Sequence, residues 1–134
     1  MSQENVEVVR KAFDAFRRGD VEAVLRLAEE NVAIMQAPEL PGLPTERRGH
    51  AGVLAAFANW PDQWDDYAIE VREVIADPGD YVVVGTRERG RGQQSGVEVV
   101  AEATFVFTVR DEKITELRTF VHERQALEAV GLRE

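Results

Sequence analysis

An α+β fold is predicted for this chain: a curved antiparallel meander sheet wrapped around N-terminal helices, forming a cone with an internal pocket. Three observations predict it. Apolar residues recur at helical spacing through the first quarter of the sequence, the period falls to two from Tyr67 onward, and the later connections are tight turns. Short turns force antiparallel neighbours, and helices preceding a run of strands is the α+β order. At 134 residues the chain has the length of one domain, taken as residues 1–134.

The elements follow in order. Val6, Val9, Phe13 and Phe16 place one apolar stripe on a helix from about Gln3 to Arg17, which Gly19 stops. Asp20 is a good N-cap for a second helix carrying Val21, Val24, Leu25 and Ala28, with Asn31 closing it. Val32, Ile34 and Gln36 alternate with Ala33 and Met35, as in a short strand. Prolines and glycines make Pro38 to Gly49 a loop, and His50 to Trp60 reads as a third helix ended by Pro61. Four strands follow, Tyr67–Ala76, Tyr81–Arg91, Val97–Arg110 and Ile114–Val121. Asp77 to Asp80, Gly92 to Gly96 and Asp111 to Lys113 connect them as hairpins, and Glu123–Val130 is a closing helix before Gly131.

Composition narrows the function classes. With 25 acidic against 16 basic residues the net charge is −9, which argues against nucleic acid or an anionic membrane as partner. Seven acids and one base, Arg72, lie between Asp62 and Asp80, the pattern of a solvated strand edge or, less simply, an acidic docking surface. Without cysteine there are no disulfides, thiolate metal sites or cysteine nucleophiles. His50 and His122 are far apart and no His-Glu-x-x-His spacing occurs, so no metal and no cofactor is implied. The longest apolar run, Val53–Ala58, is too short to span a bilayer, and the first residues lack a leader pattern, so a cytoplasmic protein is expected. Gly90 to Gly96 has glycine spacing faintly like a phosphate loop, but a strand follows it where a helix would be needed.

The order of elements, with Phe16-Arg17-Arg18-Gly19-Asp20, Arg48-Gly49-His50, Asp77 to Val84, Ser95 to Val99, Phe107 to Ile114 and Ala126 to Leu132, resembles the SnoaL-like branch of the nuclear-transport-factor-2-like superfamily. The resemblance implies the cystatin-like α+β cone and leaves function open, since that scaffold carries isomerases, hydrolases, cyclases and non-catalytic adaptors. Its known chemistries lack their central groups here. Laid on this sequence, the base of ketosteroid isomerases falls at Gln36, their tyrosine at Ala12 and their protonated acid at Phe105. The aspartate of SnoaL-type cyclases also falls at Phe105. For limonene-type epoxide hydrolases the arginine falls at Arg87, but the two aspartates fall at Arg89 and Thr119. Glutamine, phenylalanine and threonine cannot replace a carboxylate in proton transfer.

What remains is a set of pocket candidates: Gln36, Trp60, Arg87, Phe105, Phe107, Leu117, Thr119 and Val121. Period-two alternation puts Phe105 and Phe107 on the apolar face with Val99, Ala101, Ala103 and Val109, and aligns Leu117, Thr119 and Val121 with them. Arg87 shares a set with Tyr81, Val83, Gly85 and Arg89; it is a candidate anchor for an anionic ligand group, or a partner for Glu73, or simply lies at the wet end of the sheet. Gln36 offers a pocket amide and Trp60 an aromatic wall or rim. The expected function is binding of a small apolar or weakly acidic molecule. The alternatives are an enzyme of the epoxide-hydrolase, isomerase or polyketide-cyclase type with non-standard catalytic residues, and a non-catalytic homodimeric interaction module using Glu98, Val100, Glu102, Thr104, Val106 and Thr108 as its outer face.

Overall fold

The computed structural model describes residues 2–35, 46–59, 64–93 and 95–132. Its elements run α1 (Ser2–Arg18), α2 (Val21–Leu27), β1 (Ala28–Met35), β2 (Glu46–Arg48), α3 (Gly49–Asn59), β3 (Trp64–Ala76), β4 (Tyr81–Gly92), β5 (Glu98–Arg110), β6 (Lys113–Phe120) and α4 (Glu123–Ala129). The strands form one curved, unclosed sheet in the order β2-β1-β6-β5-β4-β3.

From β3 to β6 the sheet is the expected antiparallel meander. Four features differ from the sequence reading. β1 lies parallel to β6, pairing Ile34 with Leu117, so the sheet is mixed; a long excursion through β2 to β5 returns the chain beside it. Ala28 belongs to β1 and not to the second helix, because its backbone turns extended (φ −103, ψ 138) and pairs with Ile114. Inside the expected loop, Glu46–Arg48 forms β2 and pairs antiparallel with Ala33–Met35. Val121 falls in a bend just past β6.

Local chemistry explains several boundaries. The Asp20 side chain accepts a hydrogen bond from the Ala23 amide at 3.1 Å, capping α2. Gly19 (φ +72) reverses the chain between the two helices, where its amide donates to the Phe16 carbonyl at 3.0 Å. Arg110 pairs with Lys113 across a two-residue turn in which Asp111 and Glu112 both have positive φ, 51° and 64°, the handedness that matches strand twist. His50 Nε2 lies 3.1 Å from the Ala28 carbonyl oxygen and ties α3 to β1.

The sheet is buried on both faces at one end. On the inner face, α1 supplies Val8, Val9, Ala12 and Phe13 to a core shared with Val32, Ile34, Ile69, Val82, Val84, Phe107, Val109 and Ile114. On the outer face α4 places Ala126 and Leu127 against Val83 and Val106. Val82, Val83 and Val84 are therefore all buried, and the start of β4 reads as an unbroken apolar run instead of an alternating one. β3 is an edge strand, and Asp65, Asp66, Glu70 and Glu73 lie on it, where charge opposes pairing with another chain.

Candidate functional site

The inner face of the sheet is assembled by register. β4 and β5 pair without a shift from Tyr81–Thr108 to Arg91–Glu98, so Val82, Val84, Thr86 and Glu88 face the same way as Phe107, Phe105, Ala103 and Ala101. β6 adds Leu117 opposite Phe107 and Thr119 opposite Phe105. β3 adds Ile69 opposite Glu88 and Val71 opposite Thr86. A register shift between Val71 and Glu73 then keeps Val74 on the core side.

At the closed end this face is filled. The Phe13 ring from α1 stands 5.6 Å from Phe107, edge to face, and 5.8 Å from Phe105, with Phe105 and Phe107 at 6.2 Å from each other. Cover then thins along β5. Val109 is 1% exposed and Phe107 is buried; Phe105 and Ala103 are half-buried; Ala101 is exposed, and Val99 is 41% exposed. Thr86 is fully buried and satisfied, its hydroxyl donating to the Ala103 carbonyl at 3.1 Å. The inner face thus opens, from the phenylalanine cluster outward, over small side chains and ends beside Glu88.

Each candidate from the sequence can now be placed. Phe105, Phe107, Leu117 and Thr119 come together on this inner face. Val121 is half-buried just past the end of β6. Gln36 and Trp60 lie outside the described residues. Arg87 requires a correction, because β4 alternation puts it on the opposite, outer face. There its guanidinium donates to Glu102 at 3.1 Å, with side chains 43% and 51% exposed, and Arg72 approaches the same carboxylate at 3.8 Å. The partner is Glu102 rather than Glu73, since Glu102 is the residue directly across the ladder.

Glu88 is the residue that sequence reasoning missed. Half-buried, it faces inward by register, opposite Ile69 and Ala101; Arg47 of β2, opposite Ile34, is half-buried on the same face at the far side of the sheet. A signal existed: once Phe105 and Phe107 are placed inside, the register of a short hairpin carries Glu88 with them. Other polar features lead elsewhere. His122 sits at the N-cap of α4 and is exposed. A cleft of about 450 Å³ lies between α1 and β3, with Glu7, Arg10, Lys11, Asp14 and Glu70 on its walls beside Val71, and is more polar than the pocket expected of the cone. Among the described residues no group of histidine, aspartate and glutamate side chains could hold a metal ion, and no helix is long and apolar enough to cross a membrane.

Comparison with known proteins agrees with this geometry at the level of family and fold. The model of the SnoaL-like domain matches residues 9–117. An NTF2-like protein from Burkholderia xenovorans LB400 is 29% identical, with a TM-score of 0.74 over 91% of this chain and 92% of its own. TerC, crystallised with polyporic acid, is 24% identical, with a TM-score of 0.78 over 93% of this chain and 96% of its own. A protein from Jannaschia sp. CCS1, described as a SnoaL-like polyketide cyclase, is 20% identical, with a TM-score of 0.76 over 99% of this chain and 95% of its own. The curated proteins give no match.

Proposed function

The chain belongs to the SnoaL-like domain family, and from that premise we propose that it binds a small, mainly apolar molecule on the open half of its inner sheet face. One observation carries this reading: the fall in cover along β5 from Val109 to Val99, which leaves apolar side chains accessible at the mouth of an otherwise packed cone. Exposed apolar surface set in a concave face is the usual material of a ligand site. The structure of TerC with polyporic acid, a relative in fold, supports the idea that this scaffold admits organic molecules of modest size. An acidic ligand held by Arg87 is no longer part of the reading, because that side chain faces Glu102 on the outer surface.

The test is a thermal-shift screen of lipophilic compounds followed by calorimetric titration of the hits. Ala101→Trp, at an exposed inner-face position, fills the mouth without entering the core. It is expected to weaken every genuine hit at least about tenfold while leaving the unliganded melting temperature within about 2 °C. Unchanged affinity in this variant would exclude the site.

A second reading concerns the outer face, where the Arg72–Glu102–Arg87 cluster lies beside Val100, which is 52% exposed. Mixed apolar and charged character of both signs is self-complementary across a two-fold axis, and so favours a modest homodimer on this face.

A further inference from the structure

We infer that the ligand of the inner face carries a carboxylate, held by Arg47 of β2, at one end of its apolar body. This rests on the reading that the inner face is a binding site and names the chemistry that the site selects.

Register puts Arg47 on that face. It stands directly opposite Ile34, which is buried in the core with Phe107, and residues opposite one another in an antiparallel pair share a face. The helix above it agrees. A Cβ added at Gly52 of α3 would come within 3.0 Å of the Arg47 Cβ, so α3 lies against the root of this side chain on the core side of the sheet.

The charge there is unmatched. Arg47 is half-buried, and among the described residues it has no hydrogen-bond or ion-pair partner. The neighbouring carboxylate, Glu46, is taken by Arg48 at 2.6 Å. Ile34 lies opposite, Leu117 beyond it, and α3 (Gly49–Asn59) holds no acidic residue. A guanidinium keeps its proton in such a setting, so it is satisfied by drawing an anion, and its fork of donors fits a carboxylate in two parallel hydrogen bonds. Glu88, across the sheet on β4, is already engaged within the protein and repels an anion from that side.

Spacing sets the shape of the ligand. One rung of the sheet runs Arg47, Ile34, Leu117, Phe107, and the next toward the rim carries Thr119 and Phe105. β2 and β5 are three strand spacings apart, about 14 Å, and the arginine stem covers part of that. Leu117 and Phe105 are both half-buried. An aryl or alkyl body resting on them would bring a carboxylate to Arg47 if the molecule is on the order of 10 Å long.

Three probes of matched shape separate the possibilities: 4-phenylbutyric acid, 4-phenylbutanol and 4-phenylbutylamine, titrated calorimetrically into the full chain at pH 7. The acid is expected to bind about tenfold or more tightly than the alcohol, and the amine more weakly than either. Arg47→Gln should erase the acid's advantage while leaving the alcohol's affinity unchanged. Arg87→Gln, on the other face, should leave the preference intact. If Arg47→Gln does not fold, NMR of the native chain decides: the Arg47 Nε–H resonance is expected to shift with the acid and not with the alcohol. Acid and alcohol binding equally, a preference that survives Arg47→Gln, or a bound acid that leaves the Arg47 resonance in place would overturn the inference and leave the binding site standing. Silence from all three probes and from the wider apolar screen would overturn the site itself, and the inference with it.

Discussion

Arg87 and Glu88 are neighbours in sequence and belong to different surfaces of the protein. Arg87 meets Glu102 in water on the outer face, and Glu88 borders the apolar interior. An ion pair as exposed as Arg87–Glu102 is screened by solvent, so Arg87→Ala is expected to cost no more than about 1 kcal/mol in chemical denaturation. It should leave the affinity of any inner-face ligand unchanged, as titration of the variant would show. Phe13 is the opposite case. Buried between Phe105 and Phe107, it closes the deep end of the inner face. Phe13→Ala is expected to destabilise the fold by about 3–5 kcal/mol, read as a lowered denaturation midpoint at unchanged m-value. At Arg87 the residue type alone was ambiguous. A guanidinium after three valines looks like a buried anchor until its face is known, and the three valines conceal that face because α1 and α4 cover both sides of β4 there.

At the scale of elements, much was legible. The apolar stripe of α1, the Asp20 cap and the turns of the meander each follow from short-range stereochemistry, and the strand bounds of β3 to β6 fall within a few residues of the sequence reading. The start of β1 and all of β2 were missed, for a reason that is physical. Ala28 has an apolar side chain that suits the second helix as well as a strand, and only the Ile114 backbone across the sheet decides between them. Glu46–Arg48 carries no apolar alternation, and its extended form depends on the edge offered by Ala33–Met35. The β5–β6 turn makes a sharper prediction. Glu112 holds φ at 64° in a position that favours glycine, so Glu112→Gly is expected to stabilise the protein by about 0.5–1 kcal/mol after the unfolded-state entropy cost. Thermal denaturation of the two proteins would show it as a small rise in melting temperature.

For the whole molecule, one sheet separates two kinds of surface. Its inner face grades from a phenylalanine cluster to an open rim that includes Glu88, while its outer face is half covered by α4 and otherwise bears arginine, glutamate and valine. If the outer face is a homodimer surface, Val100→Asp should shift the protein from dimer to monomer in analytical ultracentrifugation, without a loss of ligand binding at the inner face. The −9 charge also acquires a location, because much of the acid between Asp62 and Asp80 lies along the edge strand β3, where it guards an unpaired ladder. The sequence by itself determined the α+β class, the helices and the meander, all properties of residue type and short-range spacing. Only the tertiary structure decided that β1 runs parallel to β6 and that Glu88, not Arg87, faces inward. Both depend on which strands lie side by side and which face the helices cover, and those are contacts between residues far apart in the chain.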